Sequence, residues 1–121
     1  IFPGMSPWVL NALINAEGIK AVILETYGLG NAPTHKWFID ALKSGIKKGL
    51  IFVNVTQCLA GSVEMWRYET GIHLSNIGVI SGHDSTTEAA VTKMMYLLAA
   101  YDNPEDIREN MSRSLRGEIS V

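Results

Sequence analysis

Asn31 stands in the glycine-rich turn Tyr27-Gly28-Leu29-Gly30-Asn31-Ala32-Pro33, and a second polar run, Thr56-Gln57-Cys58, follows 25 residues later. Each run comes directly after an apolar stretch, Ala21-Val22-Ile23-Leu24 in the first case and Leu50-Ile51-Phe52-Val53-Asn54-Val55 in the second. If those stretches are parallel strands, both runs lie at the carboxyl edge of the sheet, where open α/β folds bind their ligands. Two glycines permit positive φ and close approach of another molecule. Asn31 offers a donor and an acceptor there. The pattern fits a ligand site and a plain connector equally well.

Other chemistries fit less well. Gly28-x-Gly30 lacks the third glycine of a dinucleotide fingerprint, and no phosphate-loop Lys-Ser/Thr pair follows. Cys58 needs a base to become a thiolate, and no sequence neighbour supplies one, so it is expected to be a small buried hydrophobe near a strand end. His35, His73 and His83 match no zinc spacing, and no metal is expected. Asp84, beside His83 at a helix start, is expected to cap rather than to catalyse. Tyr68, with Glu64, Arg67 and Glu69 around it, reads either as a hydroxyl orienting a ligand or as a ring closing over the sheet edge. Trp66, with polar flanks, reads equally as an interface aromatic.

The elements that must position these residues are legible from periodicity. Ser6 as N-cap and Pro7 at the first position open a helix whose inward face is expected to be Trp8, Val9, Ala12, Leu13 and Ala16, with Gly18 as its stop. A strand over 19–24 leads into the turn. A second helix from about Thr34 to Lys48 places Trp37, Phe38, Ala41, Leu42 and Ile46 inward and ends at Gly49. The run 50–55 is apolar at nearly every position, as expected of a strand covered by helices on both faces. A short helix within 68–74 and a short strand over 77–81 follow. Ser85-Thr86-Thr87-Glu88 reads as a capping box opening a long helix to Ala100, with Ala89, Ala90, Lys93, Met94, Leu97 and Leu98 inside. Asn103-Pro104 opens a last helix ending near Leu115. The order predicts a three-layer α/β/α sandwich, Rossmann-like, with about four parallel strands. Its first strand would end at Ile1-Phe2-Pro3, so the chain is expected to be one α/β domain, residues 1–121, of a longer protein.

Bulk properties narrow the function. The 121 residues carry 10 Lys and Arg against 12 Asp and Glu, a net charge of -2, and no basic cluster beyond Lys47-Lys48, so nucleic acid is not an expected partner. No apolar run approaches the roughly 20 residues that span a bilayer, and no signal peptide is expected within these residues. A single cysteine excludes an internal disulfide framework and suits a reducing compartment. At 18% charged residues, the surface is poor in charge, as when a partner domain or subunit covers part of it.

Taken together the motifs carry a resemblance. Tyr27 to Pro33, then Val53-Asn54-Val55-Thr56-Gln57-Cys58, Tyr68-x-x-Gly71, Gly78-Val79-Ile80-Ser81-Gly82-x-Asp84 with Glu88-Ala89, and Leu115-Arg116-Gly117-Glu118 resemble the C-terminal domain of type I L-asparaginases in order and spacing. The resemblance covers nearly the whole chain, and the last motif favours the type I branch over the periplasmic type II branch. It implies a cytoplasmic two-domain amidohydrolase, free of cofactors, that converts L-asparagine to L-aspartate and ammonia and works as a homo-oligomer, either dimer or tetramer. The threonine nucleophile and a Thr-Lys-Asp group would belong to an N-terminal domain outside these residues. This chain alone would then hold no catalytic residue and be inactive. Asn31 and Tyr68 match positions that complete a neighbouring subunit's substrate site. Glu25, Thr56, Gln57 and Cys58 match an allosteric effector site, with a carboxylate at Glu25 where regulated members carry a base; like charges would repel an effector's carboxylate there. Two alternatives remain: the amidase subunit of a glutamyl-tRNA amidotransferase, and a non-catalytic α/β ligand-binding or assembly domain.

Overall fold

The computed structural model describes residues 1–28, 30–33, 35–66 and 69–120. In chain order the elements among them are α1 (Pro7–Ile14), β1 (Ala21–Thr26), α2 (Lys36–Lys47), β2 (Ile51–Thr56), α3 (Glu69–Asn76), β3 (Ile80–Ser81), α4 (Thr87–Ala100) and α5 (Pro104–Met111). The strands are parallel and ordered β1-β2-β3, with Ala21 opposite Ile51 and Val53 opposite Ile80.

β2 is buried at all six positions because it is central and helices cover both its faces. On one side Phe52 packs with Leu10 and Ile14 of α1, Phe38 and Leu42 of α2, and Leu74 of α3. On the other, Ile51, Val53 and Val55 pack with Ala90, Met94 and Leu97 of α4 and with Ile107 and Met111 of α5. Each fully buried side chain of this size contributes about 1.5–3 kcal/mol of transfer free energy. The three-layer α/β/α reading holds.

Four expectations need correction. The described residues supply three strands rather than about four, since Ile1-Phe2-Pro3 take no strand conformation. The inward face of α1 is Leu10 and Ile14, whereas Trp8 is 83% exposed and Val9, Ala12, Leu13 and Ala16 are also outward. The helix is apolar on both sides, so periodicity alone does not choose the face that meets the core. The helix also ends at Ile14 with Asn15 as C-cap, and Gly18 (φ +83°) turns the chain afterwards. Similarly, α5 stops at Met111 and not near Leu115.

The capping box expected over residues 85–88 is displaced by one residue, since Thr86 rather than Ser85 is the N-cap of α4; the caps themselves behave as their residue types require. Ser6, Thr86 and Asn103 accept from the N–H of Trp8, Ala89 and Glu105 at 3.2, 3.1 and 3.1 Å. Of the expected inward face of α4, Ala90, Lys93, Met94 and Leu97 are buried, while Ala89 and Leu98 at its edges are only half-buried. The expected start of α2 at Thr34 lies outside the described residues.

Candidate functional site

β1 passes into a tight turn at the sheet's carboxyl edge. The Tyr27 N–H donates to the Asn31 carbonyl at 2.7 Å, and the Asn31 and Gly30 N–H groups return to the Tyr27 carbonyl at 2.8 and 2.9 Å. The turn needs Gly28 at φ +50° and Gly30 at φ +103°, conformations that side-chain-bearing residues rarely adopt. Asn31 is half-buried. Its Oδ1 accepts from the Ala32 N–H at 3.1 Å, and its Nδ2 has no partner among the described residues. A side-chain amide placed at this edge is a group able to orient a polar ligand.

Two side chains of β2 hold this turn from beneath. The Thr56 hydroxyl donates to the Gly28 carbonyl and accepts from the Cys58 N–H at 3.1 Å. Asn54 donates to the Gly30 carbonyl at 3.2 Å. The alternation of a strand puts residues 54 and 56 on one face, which is why both reach the same loop.

Beside Thr56 the sheet edge opens into a cavity of about 540 Å³ lined by Glu25, Thr56, Gln57, Cys58, Asp84 and Thr87, among others. Thus Glu25, Thr56, Gln57 and Cys58 do converge. Glu25 Oε1 accepts from the Thr87 hydroxyl at 2.6 Å, tying the end of β1 to the first residue of α4. Gln57 Nε2 donates to the Glu25 carbonyl at 2.9 Å. Cys58 is exposed rather than buried, because β2 ends at Thr56 and the chain has already left the sheet. Tyr68 lies outside the described residues. Trp66 is 73% exposed.

Asp84 is not a helix cap. It accepts from the Ser120 N–H at 2.9 Å, and this hydrogen bonding holds its carboxyl below the usual carboxylate range. That contact belongs to a second constellation. The Lys93 ammonium on α4, 5% exposed, contacts Glu118 Oε1 at 2.7 Å and the carbonyls of Met111 (3.0 Å) and Arg113. Glu118 in turn accepts from the N–H groups of Leu115 at 3.0 Å and Arg116 at 2.7 Å. Burial alone would raise the Glu118 pKa. The ammonium and the two N–H donors outweigh it and bring the carboxyl from 4.5 down to about 2. The Leu115-to-Glu118 motif is therefore a latch that folds the tail onto α4.

The family model of the Glutaminase/Asparaginase C-terminal domain matches residues 1–111. The chain belongs to this family. As an asparaginase-type C-terminal domain it is 44% identical over 120 residues to L-asparaginase 1 of Escherichia coli (strain K12), a match that covers 99% of this chain and 35% of that protein. Its fold is similar to the crystal structure of L-asparaginase I from Vibrio cholerae, with a TM-score of 0.93 and 42% identity, covering 100% of this chain and 36% of the other. At 35% identity over 117 residues it is also similar to a glutamyl-tRNA(Gln) amidotransferase subunit of Methanopyrus kandleri, covering 97% of this chain and 25% of that protein. The chain spans about a third of the length of the two L-asparaginases.

Proposed function

We propose that the full protein hydrolyses L-asparagine to L-aspartate and ammonia, and that this domain completes a site whose nucleophile lies outside residues 1–121. The observation that carries this reading is the 44% identity to L-asparaginase 1 along 99% of the chain. A threonine hydroxyl from the N-terminal part attacks the side-chain amide carbon, ammonia leaves, and water releases aspartate from the acyl-enzyme. Asn31 contributes from a neighbouring subunit by hydrogen bonding the substrate, a role supported by its Nδ2, which has no partner among the described residues, at the sheet edge. Tyr68 is assigned to the same task on the resemblance alone. No cofactor is required.

The cavity at Glu25, Thr56, Gln57 and Cys58 corresponds to an effector site in which Glu25 opposes an anionic effector, a reading supported by the convergence of the four on one volume. The outward apolar residues of α1 support burial against the N-terminal domain or another subunit in a homo-oligomer. The single, free cysteine supports a cytoplasmic location; among the described residues no helix is long and apolar enough to cross a membrane.

The test is ammonia release from asparagine and from glutamine by the purified full-length protein. Hydrolysis of asparagine is expected; hydrolysis of neither overturns the reading. The similarity to the amidotransferase favours a second reading, in which ammonia release requires a partner subunit and glutamyl-tRNA. A non-catalytic binding module would show no release under either condition.

A further inference from the structure

We infer that Asn54 is a positioning residue, whose buried amide sets the turn that presents Asn31. The inference rests on the role proposed above for Asn31. Asn54 is completely buried in the central strand, and its neighbours Ile51, Phe52, Val53 and Val55 are all apolar. A buried amide without partners is costly, so an aliphatic residue would be the cheaper occupant. Both ends of this amide are engaged. Oδ1 accepts from the buried Thr26 hydroxyl, the last residue of β1, and Nδ2 donates to the Gly30 carbonyl at 3.2 Å. The side chain thus joins the end of one strand to the far limb of the turn that strand enters.

Gly30 has little freedom to drift from that position. A Cβ at residue 30 would lie 2.6 Å from Val63 Cγ1 and 3.2 Å from Asn54 Nδ2, so the backbone is wedged between the amide and Val63. Thr56 fixes the near limb through the Gly28 carbonyl. Asn31 follows Gly30 directly, and its own N–H closes on Tyr27 at 2.8 Å. A displacement of the Gly30 carbonyl is passed to Asn31 with no intervening residue to absorb it. A misplacement of about 1 Å at a reacting site can cost roughly 100-fold in rate.

The experiment is a double-mutant cycle in the full-length protein, read as kcat/KM for asparagine. Asn54→Asp keeps the shape and the acceptor for Thr26 but removes the donor to Gly30. It is expected to lower kcat/KM by about tenfold or more, and that loss is expected to shrink below about twofold when Asn31 is already Ala, since contacting groups couple and independent ones add. Thr26→Val breaks the other arm of the network while sparing the Asn54–Gly30 bond. It is expected to lower the melting temperature while leaving kcat/KM within about twofold, which separates positioning from general weakening of the core. Additive losses for Asn54→Asp and Asn31→Ala overturn the inference and leave the role of Asn31 intact. Wild-type kinetics for Asn31→Ala overturn both, and absence of ammonia release by the wild type removes the asparaginase reading with them. If Asn54→Asp does not fold, Gly30→Ala displaces the same carbonyl from the Val63 side, and its loss must likewise vanish in the Asn31→Ala background.

Discussion

Replacing Glu118 by Gln should unlatch the tail from α4. In the wild type the carboxylate neutralises Lys93, whose side chain is 5% exposed against 13% for Glu118, and accepts two backbone N–H groups. Its pKa falls from 4.5 to about 2 on folding. At roughly 1.4 kcal/mol per pH unit, that difference contributes about 3 kcal/mol near neutral pH. A depressed folded pKa means the contribution is fully present above 4.5 and is lost as pH falls toward about 2. Gln keeps one acceptor but no charge, leaving the buried ammonium beside the Met111 and Arg113 carbonyls without a counter-ion. Amide hydrogen exchange over residues 113–120 of the full-length protein at pH 6 should therefore accelerate about 100-fold, as expected of a local latch. Urea unfolding of the two proteins should differ by about 3 kcal/mol at pH 6 and only about 1 kcal/mol at pH 3. A difference that stays flat with pH, or is below about 0.5 kcal/mol at pH 6, would falsify the latch.

Asn31→Ala should lower kcat/KM for asparagine about tenfold or more while shifting stability by less than about 1 kcal/mol, because the side chain makes one local bond in a surface loop; unchanged kinetics would reduce the turn to a connector. Gly71→Ala in α3 should destabilise by about 2 kcal/mol despite the better helix propensity of Ala, since the new Cβ would lie 2.7 Å from the backbone carbonyl oxygen of Met65; a raised melting temperature would show that segment to be compliant. Glu25→Arg should make the rate respond sigmoidally to asparagine by placing a cation in the cavity at the effector position, and an unchanged hyperbolic curve counts against the charge argument.

Features carried by local pattern are legible in the sequence, and features carried by long-range pairing are not. The continuous apolar run of β2, the caps at Ser6 and Asn103 and the inward stripe of α4 all follow from spacing within one element. The face of α1 does not, because Leu10 and Ile14 lie on a helix as apolar outside as inside. The expectation of a buried Cys58 fails because it extends apolar character two residues past the strand's true end. Lys93 can be placed inside from its helical position, but its partner Glu118 is on a different segment and no local rule pairs them. Asn54 is the instructive case. Its signal is present as a polar residue set among Phe52, Val53 and Val55 in the interior of β2, and only the fold shows what that amide reaches.

The same contrast bears on Glu25. Read from the sequence, it is a charge at the base of the turn, unfavourable to an anionic effector. In the fold it also accepts from Thr87 at the first residue of α4, so a carboxylate already sits where the partial positive charge of that helix end would attract an anion. Asp84 and Glu88 line the same cavity. An incoming carboxylate would meet three like charges and a helix terminus already engaged by Glu25. Replacing Glu25 with Ala removes both the repulsion and the occupant without adding a cation, whereas Arg adds the cation as well. If the charge matters chiefly through repulsion, the two substitutions should both restore a response to asparagine. If a cation is needed to hold the effector's carboxylate, only the Arg variant should, and comparing the two separates the terms that a single substitution would merge.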